Sequence, residues 1–237
     1  MATFQRPERR SKSGQDGGEW LSVSDLMAGL MMIFLFIAIV YIRPLLETQN
    51  KIRDVTEDWV DVRADIYEAL RSEFADDLAR WDAELERDTL TIRFRAPDIM
   101  FESGKADLRP EFEAIMDSFF PRYLNVLAPF ERDIEEVRIE GHTSSAWFGE
   151  TGPTAYFGNL DLSQQRTRAV LAYGFRDPAA FEAQAWARNK MTANGLSSSR
   201  LVLDADGVED ARRSRRVEFR VRTNAAARID QIVDNLR

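Results

Sequence analysis

One uninterrupted apolar stretch lies near the start of the chain, whereas later segments mix apolar with polar positions. The stretch covers residues 21–42 and reads LSVSDLMAGLMMIFLFIAIVYI, roughly 33 Å as a helix, which matches a hydrocarbon core of about 30 Å. Trp20 and Tyr41 stand near its ends, where interfacial aromatic residues are favoured, and Arg43 follows it. The pattern predicts a single transmembrane helix over residues 20–43. A cleaved signal peptide is the alternative, but the stretch is long for one and lacks a small-x-small cleavage site.

An acidic residue, Asp25, lies about one turn inside this stretch, and no Lys, Arg or His accompanies it there. A charged side chain costs roughly 2.5–3.5 kcal/mol near the centre of a membrane helix and less near its end, so such residues usually mark ion or proton paths. We therefore expect Asp25 to carry ions or protons, with its partner group supplied by another chain. The alternative is an interfacial aspartate that caps the helix or reaches water beside Ser22 and Ser24.

The next segment, residues 44–88, is polar with a stripe of apolar side chains. Apolar positions recur mostly three or four apart from Leu45 to Leu85, which predicts a long amphipathic helical linker. Such a stripe can pair with a second copy of the chain or pack against the chain's own C-terminal domain. We expect it to contribute to a homodimer contact.

Residues 89–223 predict a small domain of strands and helices. The predicted order is a strand over TLTIRFRAP, a helix from near Pro110 with a break at Pro121, a strand over 136–140, a polar loop, helices over about 162–175 and 178–194, and strands over 200–203 and 216–222. Gly195 is predicted to cap the last helix in the αL conformation. The order predicts a mixed sheet covered by helices. The fold class is therefore α+β, with a single N-terminal transmembrane helix, a helical linker and a β/α C-terminal domain.

Composition and motifs exclude several classes of function. The net charge of -8, from 32 basic and 40 acidic residues, argues against a nucleic-acid partner. The chain has no cysteine and one histidine, so neither a disulfide nor a usual zinc site is expected. It contains neither a phosphate-binding G-x-x-x-x-G-K-[ST] loop nor a G-x-S-x-G elbow. The acidic run 204–210 begins like a calcium loop but lacks its closing Glu. We expect no enzyme activity, no metal and no cofactor.

Four stretches, IMFESGKADLRPE, VRIEGHTS, GNLDLSQQRTRAVLAYG and RRSRRVEFRV, carry a family resemblance. In this order they resemble the peptidoglycan-binding domain shared by the OmpA C-terminal region, the peptidoglycan-associated lipoprotein and the flagellar stator B subunit. In that family a loop after the second strand and the start of the next helix bind the diaminopimelate part of the wall peptide. The resemblance, with its N-x-x-L-S-x-x-R pattern, implies these peptidoglycan-binding residues: Thr143, Asn159, Leu162, Ser163 and Arg166.

The chemistry of this pattern suits a carboxylate ligand. Ser163 near the expected helix start and Arg166 one turn later would bring together a hydroxyl, free backbone N–H groups and a guanidinium. The family usually has an aspartate after Gly-His-Thr, whereas this chain has Ser144, which leaves the contact to the ligand's amine unassigned. Asp161 is one candidate to replace it. We interpret His142, within the same motif, as a hydrogen-bonded structural histidine.

The whole chain carries a broader resemblance. A short tail over residues 1–19, a span that opens WLSVSDLMAGLM and the C-terminal domain together resemble the flagellar stator B subunit, and still more the B subunits of the Zorya anti-phage defence motor. The resemblance implies an inner-membrane motor in which two copies of this chain sit inside a ring of five larger multi-span A subunits. Flow of H⁺ or Na⁺ past Asp25 would drive rotation while the domain holds the wall.

The same resemblance implies a topology, with the N-terminus in the bacterial cytoplasm and the C-terminal domain in the periplasm. A slight excess of Lys and Arg in the N-terminal tail agrees with this orientation. Residues 224–237 are expected to form a helical C-terminal tail. Two alternatives remain: a passive tether between membrane and wall that moves no ions, and the flagellar stator itself.

Overall fold

A computed structural model describes residues 16–177 and 185–224. Most of the predicted N-terminal tail and nearly all of the predicted C-terminal helical tail lie outside these ranges. Helix α1 runs from Asp16 to Leu78. Its segment Leu26–Arg43 has a mean hydropathy of 2.3 and, among the helices of the described ranges, it alone is long and apolar enough to cross a membrane. Asp25 lies within α1, and its side chain is outside the described part of the structure.

The C-terminal domain is built on a five-stranded mixed sheet. The strands are β1 (Ala83–Glu86), β2 (Thr91–Phe94), β3 (Ile134–His142), β4 (Met191–Gly195) and β5 (Arg216–Thr223). The helices after α1 are α2 (Pro97–Met100), α3 (Pro110–Leu127), α4 (Gly152–Gly174), α5 (Ala185–Lys190) and α6 (Ala211–Ser214). The strand order is β1-β2-β5-β3-β4, with β3 and β4 parallel and the other neighbours antiparallel. The predicted α+β class is confirmed.

The core lies on one face of this sheet. Alternation along β5 separates buried apolar positions such as Val217 and Phe219 from charged ones such as Glu218. Helix α3 covers the apolar face, where the Phe119 ring lies 4.9 Å from that of Phe219, centroid to centroid, and 5.2 Å from that of Phe94. The opposite face carries salt bridges between strand residues, so the two faces of one sheet are stabilised by different forces.

The C-terminal end of α1 belongs to this core. Ile66, Leu70 and Phe74 repeat every four residues and are each 0% exposed in the single chain. The Phe74 ring lies 5.2 Å from that of Phe119. This half of the linker stripe therefore packs against the chain's own domain, which was one of the two alternatives. A homodimer contact through the earlier positions of the linker stays a prediction.

The predicted helix over 178–194 is wrong at its C-terminal end. Met191–Gly195 is strand β4, paired in parallel with β3, and α5 ends at Lys190; residues 178–184 lie outside the described ranges. Gly195 is not an αL cap, because its φ is not positive. A Cβ there would lie 2.3 Å from the backbone nitrogen of Gln164. Glycine is required at this position by close packing and not by backbone conformation.

Three other elements differ from the predicted pattern. Strand β1 lies before the predicted domain start at residue 89. The sequence pattern placed this segment in the linker helix because Leu85 fits the helical stripe. Helix α3 continues through Pro121 without ending there, held by buried neighbours such as Phe120. Residues 200–203 form no strand, and Leu203 makes only an isolated bridge to Glu209.

Replacement of Phe74 by alanine should lower the free energy of unfolding by about 3–5 kcal/mol, because a fully buried aromatic ring leaves a cavity. Urea unfolding of the full chain in detergent, followed by tryptophan fluorescence, measures the change. Glu68→Ala, on the exposed side of the same helix, is the control and should change stability by less than about 0.5 kcal/mol. A loss that appears only at high protein concentration would instead place Phe74 in a contact between two chains.

Candidate functional site

Helix α4 lies directly on the ends of two neighbouring strands. Gly141 of β3 and Gly195 of β4 are paired in the sheet. A Cβ on Gly141 would lie 2.6 Å from Cγ2 of Thr167 and 2.9 Å from the carbonyl oxygen of Ser163. Because neither glycine leaves room for a side chain, α4 approaches the sheet at backbone distance. This contact places the middle of α4 beside the loop that follows β3.

The loop after β3 is held by three separate contacts. The backbone N–H of Thr143 donates to the carbonyl oxygen of Ser197 at 3.0 Å. The N–H of Ser145 donates to the carboxylate of Glu209 at 2.9 Å, and the Ser145 hydroxyl donates to the same carboxylate. Nδ2 of Asn159, on α4, donates to the carbonyl oxygen of Ala146 at 3.2 Å. The loop is therefore fixed in position against α4.

A pocket of about 350 Å³ opens between this loop, α4 and the segment after β2. Four residues named from the sequence line it together: Thr143, Asn159, Leu162 and Arg166. The structure thus brings these residues to one place, and their role in binding peptidoglycan remains a prediction. The Thr143 hydroxyl is buried and has no hydrogen-bond partner among the residues that the structure describes.

Ser163 has a different environment from the other four. Its side chain is 1% exposed; the hydroxyl donates to the carbonyl oxygen of Leu160 at 2.9 Å and accepts from the N–H of Ser197 at 3.1 Å. It lines a small cavity beside the pocket. The hydroxyl is thus engaged in tying α4 to the turn after β4.

The expected helix start near Ser163 is wrong, because α4 begins at Gly152, with proline at its first turn. Ser163 and Arg166 therefore lie in the interior of the helix, where backbone N–H groups are bonded to the preceding turn. The early turns escaped the sequence pattern because they bury a small and a polar residue, Ala155 and Asn159. Free backbone N–H groups at a helix start contribute nothing to this pocket.

Arg166 is anchored by the segment after β2. Its Nε donates to the carbonyl oxygen of Lys105 at 2.9 Å and its Nη2 to that of Glu102 at 3.1 Å. The guanidinium lies over the ring of Phe101, 4.8 Å from the centroid. Burial, followed by the charge of Arg215, lowers the pKa of Arg166 to about 10. Arg166 therefore stays protonated at neutral pH in a defined orientation.

The pocket holds further charged residues that sequence reasoning missed. Arg215 and Asp98 both line it. Neither these two nor Arg166 forms a salt bridge within 4.0 Å to any residue in the described ranges. Arg215 stands next to β5 and Asp98 in α2, far from the N-x-x-L-S-x-x-R pattern. Of the two, Arg215 alone lies in a stretch quoted for the family resemblance, RRSRRVEFRV.

His142 lies on the charged face of the sheet, between Glu140 and Glu218. Its Nε2 is 3.8 Å from a carboxylate oxygen of Glu140 and 3.7 Å from one of Glu218. At these distances neither ring nitrogen makes a hydrogen bond of 3.5 Å or less to a described residue, and the role of His142 as a structural histidine stays a prediction. Burial, with the charge of Arg216, lowers the pKa of His142, and the two carboxylates oppose this only in part.

The Glu140, His142 and Glu218 side chains have ligand atoms within 4.8 Å of one another, as a metal site would. The charges around them favour a salt-bridge network instead. Glu218 accepts from Nε of Arg93 and Nε of Arg216, each at 2.7 Å, and Glu140 accepts from Arg200 at 3.1 Å. Burial favours protonated Glu218, but its interaction with His142 and the hydrogen bonds from Arg93 and Arg216 hold its pKa below the usual range. Guanidinium groups thus already pair with both carboxylates.

The acidic run 204–210 is a folded turn. Oδ1 of Asp204 accepts from the backbone N–H groups of Asp206 and Val208, both at 2.9 Å. Glu209 is bound to Ser145 of the pocket loop. The carboxylates of Asp204 and Glu209 are thus both hydrogen-bonded within the chain itself.

Acidification from pH 7 to about pH 5.5 should lower the melting temperature of the domain in wild type more than in His142→Gln. The pKa of His142 is lowered in the folded state. Below the unfolded value of about 6.5, the unfolded chain therefore takes up a proton that the folded chain resists. Acidification thus favours the unfolded state, and the free energy of unfolding decreases as the pH is lowered. The chain has a single histidine, which isolates the effect. Thermal unfolding of the full chain in detergent at several pH values measures it, and identical slopes for the two proteins would contradict it.

Comparison with known proteins identifies the family. No family model matches the chain. Among solved structures, a MotB-like protein from Desulfovibrio vulgaris has a TM-score of 0.49 at 18% identity, covering 70% of this chain and 93% of that one. The cell wall anchor of the T6SS from Pseudomonas aeruginosa has a TM-score of 0.44 at 24% identity, covering 65% and 96%. The Zorya protein ZorB of Escherichia coli is 48% identical over 223 residues, covering 94% of this chain and 95% of the relative. The chain therefore belongs to the family of the Zorya protein ZorB.

Proposed function

We propose that this chain is the wall-anchoring, ion-conducting B subunit of a Zorya-type membrane motor that protects bacteria against phage. The segment Leu26–Arg43 crosses the inner membrane once, with the N-terminus in the cytoplasm and the C-terminal domain in the periplasm. Membership in the ZorB family supports this assignment over the flagellar stator. The boundaries at residues 20, 44 and 224 remain part of the proposal, and the C-terminal domain is taken to begin before strand β1 at Ala83.

The pocket beside α4 carries the proposal that the domain binds peptidoglycan. Arg166 and Arg215 supply two guanidinium groups that have no acidic partner within 4.0 Å in the described ranges. Half-buried cations left unpaired cost free energy, which a carboxylate ligand recovers through charge-assisted hydrogen bonds. Peptide stems of the cell wall end in carboxylates and present them on an insoluble network. A pocket of this kind holds the domain to the wall through Thr143, Asn159, Leu162 and Arg166. Ser163 positions them indirectly, because its hydroxyl ties α4 to the turn after β4.

In the membrane, Asp25 is the proposed ion carrier. It lies in α1 immediately before the apolar segment Leu26–Arg43. Two copies of the chain sit within a ring of five multi-span A subunits, which supply the groups that face Asp25. The two copies contact each other through their membrane helices and the early part of the linker, since Ile66 and the positions after it are occupied by the domain.

Asp25→Asn should abolish protection against phage while the protein still reaches the membrane and binds the wall, because an amide cannot load and release a proton. Efficiency of phage plating on cells that carry the complete system measures protection, with membrane fractionation as the control for protein level. Asp25→Glu restores the carboxyl group and should retain part of the activity. Full protection by Asp25→Asn would leave a passive tether as the function.

Arg166→Ala should weaken binding to purified peptidoglycan sacculi about tenfold to hundredfold, since it removes a charge-assisted contact. Co-sedimentation of the full chain in detergent with sacculi measures the affinity. Arg168→Ala is the matched control, because Arg168 is an exposed arginine on the same helix that does not line the pocket.

Arg166→Ala should also lower the stability of the domain, so its unfolding must be measured together with its binding. Arg166 also donates to two backbone carbonyl groups of the segment after β2, so Arg166→Ala should lower stability by about 1–3 kcal/mol. Arg215→Ala, for which the described ranges show no such bonds, should weaken wall binding without this cost. If Arg166→Ala and Arg215→Ala both sediment like wild type, the pocket is not the wall-binding site.

A further inference from the structure

We propose that Asp98 is the ammonium-binding residue of the pocket beside α4, so that the pocket selects an amino-acid group carrying both a carboxylate and a primary amine. The carboxylate lies against Arg166 and Arg215, and the amine against Asp98. This inference rests on the proposed wall-binding function and adds the residue that determines which wall peptides are bound.

Asp98 is an exposed acid in the lining of a pocket that is otherwise cationic. It belongs to α2, where Pro97 and Met100 are buried three positions apart and fix the orientation of this short turn. Asp98 lies off that buried face. The core therefore holds its backbone while its carboxylate stays available at the pocket.

The carboxylate of Asp98 is not neutralised by the cations of the same pocket. No salt bridge joins it to any basic group in the described ranges within 4.0 Å. Two guanidinium groups and one carboxylate thus share the lining of a pocket of about 350 Å³ and remain apart. A ligand with a single negative group satisfies the arginines alone. A zwitterionic group satisfies both signs of charge at once.

Other candidates for the amine contact are less well placed. Ser144 lines the pocket but offers a neutral hydroxyl. Asp161 does not line the pocket. Glu102, in the segment after β2, is already paired with Lys105. Among the described residues of the lining, Asp98 is the one with a negative charge.

A buried group with no partner also points to a ligand. The Thr143 residue is 3% exposed, and its hydroxyl has no hydrogen-bond partner in the described ranges. An unsatisfied buried hydroxyl is costly, so each such group in a folded protein requires an explanation. Thr143 lines the same pocket as Asp98 and Arg166. A carboxylate held by the arginines would accept a hydrogen bond from this hydroxyl.

The test compares native sacculi with sacculi whose free amines have been acetylated by acetic anhydride. Acetylation removes the positive charge of the wall peptides and leaves their carboxylates. Wild-type full chain in detergent should bind acetylated sacculi about tenfold more weakly than native ones. Asp98→Asn should bind native sacculi as weakly as wild type binds acetylated ones, and acetylation should cause it no further loss. Asp161→Asn, the matched control, should behave like wild type.

The outcomes separate this inference from the proposed function. Equal binding of wild type to native and acetylated sacculi, with binding still lost in Arg166→Ala, would overturn the role of Asp98 and leave wall binding intact. An equal loss on acetylation in wild type and Asp98→Asn would assign the amine to another residue and overturn the inference as well. No binding of wild type to native sacculi would overturn both. Asp98→Ala repeats the comparison with a second side chain, and melting temperatures confirm that each variant is folded.

Discussion

The contact between helix α4 and the paired glycines Gly141 and Gly195 is the constraint on which the candidate site depends. A Cβ at either position would overlap Thr167 or the backbone at Gln164. Because the helix reaches the sheet at backbone distance, Ser163 can bond the turn after β4, and Asn159 can bond the loop after β3. The pocket is consequently assembled by backbone packing, and its lining side chains are positioned by a rigid scaffold.

The two faces of the sheet are stabilised by different interactions, aromatic packing on one and ion pairs on the other. On one face the rings of Phe74, Phe94, Phe119 and Phe219 pack together, and this packing includes the last turns of α1. On the other face, arginine and glutamate alternate across β2, β5 and β3, and Glu140 and Glu218 are each 1% exposed. Buried carboxylates of this kind are tolerated because guanidinium groups surround them.

The sequence predicted the elements whose periodicity is carried by large apolar residues, such as the membrane segment, α3 and β5. It failed where buried positions are small or polar. The first turns of α4 bury Ala155 and Asn159, and β4 reads MTANG, without apolar alternation. In the site, the local pattern around Arg166 was found because its members share one helix. Asp98 and Arg215 come from distant segments, and only the folded sheet brings them to the same pocket.

The network on the charged face implies an asymmetry in how the domain tolerates mutation. Glu218 is shared by Arg93 and Arg216, while Arg93 also contacts Glu84 and Glu86. Loss of one arginine leaves the buried carboxylate with another donor, so the domain should lose little stability. Loss of the glutamate leaves several guanidinium groups facing each other with no counter-charge between them. Among homologues, the arginine positions of this face should therefore vary, whereas Glu140 and Glu218 should be retained.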